Sequence, residues 1–229
     1  DNGRLIATLN LSTPRLLDVV DLDDRRGLIY ERVSGVSMLS QLNAKPWRLF
    51  SQARQLAELH TQIHAQPGQG FTPLQASLRA AIARAGDIPP ELRTSVLQQL
   101  EKLPDSDRLC HGDFHPDQVM LTTRGPVILD WMTALQGPPL ADVARTSLLL
   151  RVGQVPYAGR AMRAFINLWR GLFHRAYLAH YLELRPSATR AEINAWLIPV
   201  AAARLAEGIQ GEQAVLLDLI RASLAASQA

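Results

Sequence analysis

The sequence predicts an α+β protein, in which a short β-rich piece precedes a mostly helical chain that contains one small β-hairpin. Three observations support this class. Residues 13–33 have the pattern of two strands separated by a polar loop. Apolar residues then recur at helical spacing over 47–66, and again after residue 140. Between these helical regions, two short apolar stretches within 119–129 flank a turn, as in a hairpin.

The β-rich piece comprises residues 1–35, and the helical region comprises residues 36–229. Residues 13–20 are predicted to be a turn that leads into a strand, and 28–33 a second strand. The loop that joins them is polar and ends in glycine, which is typical of a hairpin. A Ser-Gly pair at 34–35 breaks the second strand. We therefore place the boundary between the two regions at this pair.

Helical spacing and helix-terminating residues divide the rest of the chain. Thr189 and Glu192 are spaced as a capping box. The predicted helices lie at 47–66, 75–85, 90–103, 140–151, 157–183, 189–208 and 211–227. The last helix carries an apolar set that could face a second subunit or pack on the chain's own helices: Leu216, Leu217, Leu219 and Ile220. The sequence leaves the oligomeric state open.

Composition argues against several classes of protein. Apolar residues make up 47% of the chain, which is ordinary for a globular protein. The net charge is only +3 and no dense run of Lys or Arg occurs, so we expect no nucleic-acid partner. No apolar run reaches the roughly 20 residues needed to span a bilayer, so we expect no membrane partner. The single cysteine, Cys110, fits a reducing compartment, and we expect a cytoplasmic protein.

Three polar residues are predicted to converge at the hairpin. Asp113 precedes its first strand, Gln118 begins that strand, and Asp130 ends the second strand. Antiparallel strands return the chain to its starting level, so these ends lie close together. Phosphoryl transfer needs one carboxylate to orient the attacking hydroxyl and oxygen ligands to hold Mg²⁺. The pattern therefore indicates phosphoryl transfer.

The loop reads His-Gly-Asp-Phe-His-Pro over 111–116 and resembles the aminoglycoside phosphotransferase family, which includes choline-kinase-like and other small-molecule kinases. Residues 28–35 are similar to the strand and hinge that hold adenine in that family. Residues 56–60 resemble its central helix, and 137–144 its Gly-Asp-Pro-x-x-Asp-Leu-Ala segment. The resemblance covers 13–150 in register. It implies a protein-kinase-like fold with a remnant β amino-terminal lobe and a helical catalytic lobe.

The resemblance implies an ATP- and Mg²⁺-dependent phosphotransferase that acts on a hydroxyl of a small molecule, such as an aminoglycoside, an amino alcohol or a sugar-like compound. It implies that Asp113 is the catalytic base and that Asp130 is a metal ligand. Gln118 stands in the place of the family's Asn as a second metal ligand, with an arm one methylene longer. His111 would brace the loop through hydrogen bonds.

The resemblance also implies contacts to both substrates. The backbone around Glu31, Arg32 and Val33 would hydrogen-bond the adenine of ATP. His115 could contact the acceptor or pack under the loop. Trp131 could stack on the acceptor, although packing is the simpler interpretation.

The front of the sequence departs from the family pattern. The family carries a nucleotide-covering loop and a strand lysine that pairs with the phosphates. The sequence before Tyr30 supplies neither, and the first lysine, Lys45, follows the hinge. We therefore expect most of the front lobe to be absent, which raises a second hypothesis: a non-catalytic kinase-like binding module that has lost its nucleotide-covering lobe. The presence of both Asp113 and Asp130 favours the enzyme.

Other polar residues have structural interpretations. His60 and His64 share one helix face, but the glutamate of a zinc-protease motif is missing between them, so a buried helix explains them better. Cys110 lacks a partner pair at zinc-ligand spacing. Asp142 is predicted to be the N-cap of a helix over 143–151.

Overall fold

A two-stranded antiparallel sheet lies near the start of the chain in the computed structural model, which describes residues 2–22, 25–152 and 159–226. The sheet follows a short helix, α1 (Asn2–Ile6), and pairs β1 (Leu16–Leu22) with β2 (Arg25–Tyr30). The sequence predicted that the second strand extends to residue 33. It ends at Tyr30 because β1 begins at Leu16, and only one further backbone bond, from Glu31 N to Arg15 O at 2.9 Å, continues the pairing.

The helices of the second region follow the periodicity of the sequence. They are α2 (Met38–Ala44), α3 (Leu49–Ala65), α4 (Leu74–Arg84), α5 (Pro90–Glu101), α6 (Pro139–Val152), α7 (Arg160–Leu184), α8 (Arg190–Leu205) and α9 (Gln213–Ala226). The predicted capping box is present, because the Thr189 hydroxyl accepts from Glu192 N and the Glu192 carboxylate accepts from Thr189 N. Residues 157, 158 and 227 of the predicted helices lie outside the described residues.

Two three-stranded sheets interrupt the helices. In the first, β3 (Val36–Ser37) pairs with β6 (Val119–Thr122), which pairs with β7 (Gly125–Ile128). The β6–β7 pair is the predicted hairpin, with Met120 opposite Val127. In the second sheet, β8 (Leu135–Gly137) lies between β4 (Thr72–Pro73) and β5 (Arg108–Cys110). Both small sheets adjoin the loop that carries Asp113, so they fix its two ends.

Helices α3 and α7 pack closely at the centre of the helical region, and α6 and α8 pack beside them. Leu56, Ile63, Phe114 and Tyr177 are fully buried there. The apolar residues of α9 pack on the chain's own helices, since Leu216 and Ile220 are buried and Leu217 and Leu219 contact the core. Among the described helices, none is both long and apolar enough to cross a bilayer.

Candidate active site

The loop between β5 and β6 holds Asp113 in place through a glycine. Gly112 has φ +81°, a left-handed conformation that favours glycine. A Cβ atom added to Gly112 would lie 2.3 Å from the carbonyl oxygen of Thr133, so no larger residue fits without movement. A short 3₁₀ turn at Pro116–Gln118 then leads into β6. Leu129 N donates to Gln118 O at 2.8 Å, which joins the base of the hairpin to the end of this loop.

The hairpin brings Gln118 and Asp130 together, as the sequence predicted. Gln118 Nε2 lies 3.5 Å from Asp130 Oδ2, at the limit of a hydrogen bond. Asp130 has φ +55° and is the one non-glycine residue with a positive φ in the described part of the chain. Such backbone strain costs about 1–3 kcal/mol and clusters at functional sites. The pair offers carboxylate and amide oxygens, the donors that Mg²⁺ prefers.

Asp113 is half-buried between two basic side chains. Arg145 Nη2 lies 3.3 Å from Asp113 Oδ1, and His115 Nε2 lies 3.6 Å from Asp113 Oδ2. Burial by itself would raise the pKa of Asp113, but the hydrogen bond to His115 and the charge of Arg145 outweigh it and lower the pKa to about 2. Asp113 is therefore ionised at neutral pH, and both of its oxygens have partners.

Asp142 holds the backbone on the other side of this loop. Its carboxylate accepts from His111 N at 2.6 Å and from Gly112 N at 2.9 Å. The prediction that Asp142 is an N-cap was wrong, because α6 begins at Pro139 and Asp142 lies inside its first turn. Its side chain satisfies N–H groups of the neighbouring loop rather than those of its own helix. The signal that could have revealed this role is the resemblance of residues 137–144 to the family motif.

Two histidines complete the surroundings of Asp142. His60 Nε2 and His64 Nε2 lie 3.0 and 3.3 Å from Asp142 Oδ2, and their Nδ1 atoms lie 2.6 and 2.8 Å from the hydroxyls of Tyr177 and Tyr181. Burial, together with the neighbouring His60, lowers the pKa of His64 to about 3. His60, His64 and Asp142 lie close enough to hold a metal ion. Every ring nitrogen already has a partner, however, so the cluster is a satisfied buried network, as the sequence indicated for the two histidines.

His111 and Trp131 pack beneath the loop. His111 Nε2 donates to Leu129 O at 2.9 Å, and its Nδ1 accepts from Asp113 N at 3.3 Å. Burial lowers the pKa of His111, which favours the neutral ring that this arrangement requires. Trp131 is buried, its ring lies 4.7 Å from that of His111, and its Nε1 donates to Ile128 O. His111 thus joins the loop to Leu129 through hydrogen bonds, and Trp131 packs against its ring.

The segment after β2 leaves the regular pairing of the sheet. Glu31 ends the pairing with β1, and its carboxylate accepts from Arg15 N at 3.2 Å. Arg32 and Val33 follow as irregular backbone, and neither forms a backbone hydrogen bond within the described ranges.

A cavity of about 560 Å³ opens beside Asp113. Its wall is formed by Asp113, by Arg145 of α6, by residues of α4 and α8 that include Arg84 and Arg204, and by Glu207 just after α8. The three arginines and Glu207 were not predicted from the sequence as site residues. The spacing of Arg145 could have indicated it, because Arg145 follows Asp142 by three residues and so lies on the same face of the helix. Gln118 and Asp130 do not line this cavity, whereas Asp113 does.

Comparison with known protein families matches residues 3–187 to the phosphotransferase enzyme family, APH. A search of curated proteins finds no significant match. Among solved structures, the chain is similar to a thermostable mutant of aminoglycoside phosphotransferase APH(4)-Ia in a ternary complex with AMP-PNP and hygromycin B. The TM-score is 0.66 at 17% identity, and the match covers 96% of this chain and 79% of that one.

Two further structures show the same fold. Aminoglycoside phosphotransferase APH(3'')-Id from Streptomyces rimosus, in complex with ADP and streptomycin, gives a TM-score of 0.56 at 19% identity over 89% of this chain and 79% of that one. Amicoumacin kinase hAmiN, in complex with AMP-PNP and Ca²⁺, gives 0.58 at 15% identity over 96% and 74%. The protein-kinase-like fold expected from the sequence is thus confirmed. With the family model matched over most of its length, this chain belongs to the phosphotransferase enzyme family.

Proposed function

We propose that this small-molecule kinase transfers the γ-phosphoryl group of ATP to a hydroxyl of a small molecule, with Asp113 as the catalytic base. The observation that carries the proposal is the placement of Asp113. It lies on the wall of a cavity large enough for a small acceptor, while the side chains of Gln118 and Asp130 meet at the base of the adjoining hairpin.

Asp130 and Gln118 are the residues that would hold Mg²⁺. Their donor set fits a hard cation, since the Asp130 carboxylate and the Gln118 amide both supply oxygen. When bound, Mg²⁺ supplies neutralisation of the charge on the nucleotide phosphates. The Gln118 side chain is one methylene longer than the asparagine of the family, which would change the distance between its amide oxygen and the metal ion.

Asp113 would act on the acceptor hydroxyl. The hydroxyl oxygen forms a bond to the γ-phosphorus as the bond from that phosphorus to the ADP oxygen breaks, and the hydroxyl proton passes to Asp113. An aspartate with a pKa of about 2 is a weak base. Its principal contribution is therefore to orient the hydroxyl, with proton transfer late in a loose transition state. Arg145 and His115 keep its carboxylate in one position.

The nucleotide would be bound at the segment after β2. The backbone of Glu31, Arg32 and Val33 offers hydrogen-bonding groups to the adenine, consistent with the family's hinge. The acceptor is proposed to be a hydroxyl compound of the aminoglycoside, amino alcohol or sugar-like class. His115 is within reach of such an acceptor, since it is partly exposed next to Asp113.

The first experiment is isothermal titration of ATP with Mg²⁺ into the unmodified chain and into Asp130→Ala. We expect Mg²⁺-dependent binding to the unmodified chain and its loss in the variant, while binding of ATP without Mg²⁺ is weak for both. Equal binding by both proteins would contradict the metal site. Binding without any transfer to a panel of hydroxyl compounds would favour a non-catalytic binding module instead.

A further inference from the structure

Five alternating charges form a chain of ion pairs that begins at Asp113, and the first four of them line the cavity. Arg145 contacts Asp113 with Nη2 at 3.3 Å and Glu207 with Nη1 at 2.6 Å. Arg204 pairs with the other oxygen of Glu207 and also with Glu212, through Nε at 2.9 Å and Nη2 at 3.2 Å. The chain of ion pairs therefore connects the loop, α6 and the end of α8 across one side of the cavity.

Three of these charged side chains are largely shielded from solvent. The side chain of Arg145 is 15% exposed, that of Arg204 is 14% exposed and that of Glu212 is 3% exposed. Pairs in such surroundings are screened less than surface pairs. Arg145 is the central member, because it is the one cation that contacts both carboxylates available to a ligand, Asp113 and Glu207.

The remaining charges on the wall do not make it acidic. Asp142 also lines the cavity, but it is 1% exposed and its oxygens accept from two backbone N–H groups and two histidines. Arg84 adds a further cation to the wall and forms no ion pair with a residue in the described ranges. The two carboxylates that a ligand can reach, Asp113 and Glu207, are therefore both already paired with Arg145. Arg84 lies on the same wall as a third arginine.

We propose that Arg145 is the specificity-determining residue of this cavity, and that it adapts the cavity to a hydroxyl compound of low net charge, such as a neutral sugar or polyol, rather than to a polyamine. The inference rests on the function proposed above and specifies the acceptor of the same site. A polyamine binds through unpaired carboxylates, and here it would have to displace the largely buried Arg145 guanidinium from both Asp113 and Glu207. A neutral acceptor meets no such competition and needs only hydrogen bonds.

The test is a binding measurement with hygromycin B, an aminoglycoside with several amino groups, at low ionic strength. The unmodified chain is compared with Arg145→Met, which removes the cation, and Arg145→Lys, which keeps it. We expect Arg145→Met to bind hygromycin B about tenfold more tightly, because two carboxylates lose their competing charge. Arg145→Lys should bind hygromycin B like the unmodified chain. In 0.5 M salt, Arg145→Met should lose most of its gain in affinity.

Two further variants serve as a control and as an independent test. Arg79→Met removes an arginine of α4 whose partner is Glu101 and which does not line the cavity, so hygromycin B affinity should not change. Glu207→Gln removes one carboxylate and should weaken hygromycin B binding, which gives a readout even if Arg145→Met does not fold. Thermal unfolding verifies that each variant is folded.

The outcomes distinguish this inference from the proposed function. Hygromycin B binding needs no nucleotide, so the ranking of variants stands even if the unmodified chain fails to bind ATP. A gain in Arg145→Met together with phosphorylation of neutral sugars by the unmodified chain supports the proposal. It is overturned if the unmodified chain binds hygromycin B at least as tightly as Arg145→Met does, or if it phosphorylates hygromycin B in preference to neutral sugars.

Discussion

Asp113 shows how the immediate surroundings of one residue set its chemistry. Two basic neighbours outweigh its burial and keep its pKa near 2. The carboxylate is therefore fully ionised throughout the neutral range, and the rate of the proposed reaction should not depend on its titration there. Its proposed contribution comes from a fixed position, which Arg145 and His115 provide.

Replacement of Asp113 by Asn tests this contribution. We expect a loss of turnover of about 10²–10⁴-fold, the range typical of removing a general base, with nucleotide affinity nearly unchanged. Steady-state kinetics and ATP titration measure the two effects separately. Asp117→Asn is a matched control, because Asp117 is an exposed aspartate in the same loop. Equal losses in both variants would assign the effect to the loop rather than to the carboxylate.

Gln118 is the residue at which this chain departs from its family at the proposed metal site. Gln118→Asn shortens the arm by one methylene and restores the family residue. Because Mg²⁺ demands near-octahedral geometry, we expect the variant to reach half-maximal Mg²⁺-dependent ATP binding at a several-fold lower Mg²⁺ concentration. Titrations of ATP at graded Mg²⁺ concentrations give this value. Weaker Mg²⁺ dependence in the variant would indicate that the surrounding backbone is adapted to glutamine.

At the scale of the element, helix α6 organises the loop before the hairpin. Asp142 binds the loop backbone at His111 and Gly112, and Arg145, one turn later, contacts the carboxylate of Asp113. Two residues on one helix face thus fix both the backbone and the side chain of the loop. A rigid helix provides more precise positioning than the loop could achieve alone.

Gly112→Ala tests the tightness of this arrangement. The new Cβ would meet both an unfavourable left-handed φ and the carbonyl oxygen of Thr133 at 2.3 Å. Gly125→Ala is the matched control, since Gly125 also has a positive φ, of +115°, but no atom lies within 4 Å of the added Cβ. We expect Gly112→Ala to lower the free energy of unfolding by at least 1 kcal/mol more than the control does. Equal losses in denaturant unfolding would show that the loop accommodates the methyl group.

At the scale of the whole molecule, buried histidines couple stability to pH. The folded-state pKa of His64 is about 3, lowered by burial and by His60, while the unfolded value is about 6.5. Protons therefore bind preferentially to the unfolded chain between these values. The stability contributed by the neutral ring is complete above pH 6.5 and is lost as the pH falls towards 3. His111, whose pKa is also lowered by burial, acts in the same direction.

We predict that the free energy of unfolding falls between pH 6.5 and pH 5, with His64 alone contributing about 2 kcal/mol of the loss. Urea denaturation at pH 7, 6 and 5 measures it. His64→Gln keeps hydrogen-bonding groups but cannot titrate, so its free energy of unfolding should change less steeply with pH. His180→Gln, at a partly exposed position on α7, is the control. An unchanged slope in His64→Gln would contradict the assignment of the titrating group.

The chain's own local patterns predicted much of the molecule. Strand alternation, helical periodicity and the capping box at Thr189 depend on neighbours within a few residues, so they can be read directly. The convergence of Gln118 and Asp130 could also be predicted, because a tight hairpin leaves little freedom in how its ends meet. The strand that begins at residue 28 was predicted to end at residue 33, but it ends at Tyr30. Its end depends on where β1 begins, which the local sequence does not show.

The sequence by itself determined the fold class, the hairpin with its acidic ends and the family resemblance, because each rests on short-range order along the chain. Only the tertiary structure decided which distant residues surround Asp113. The ion pair between Arg145 and Glu207, and the role of Asp142 on the neighbouring loop, join residues that are far apart in sequence. Such contacts follow from how α6 and α8 pack, and packing depends on side-chain shapes across the whole core rather than on any local pattern.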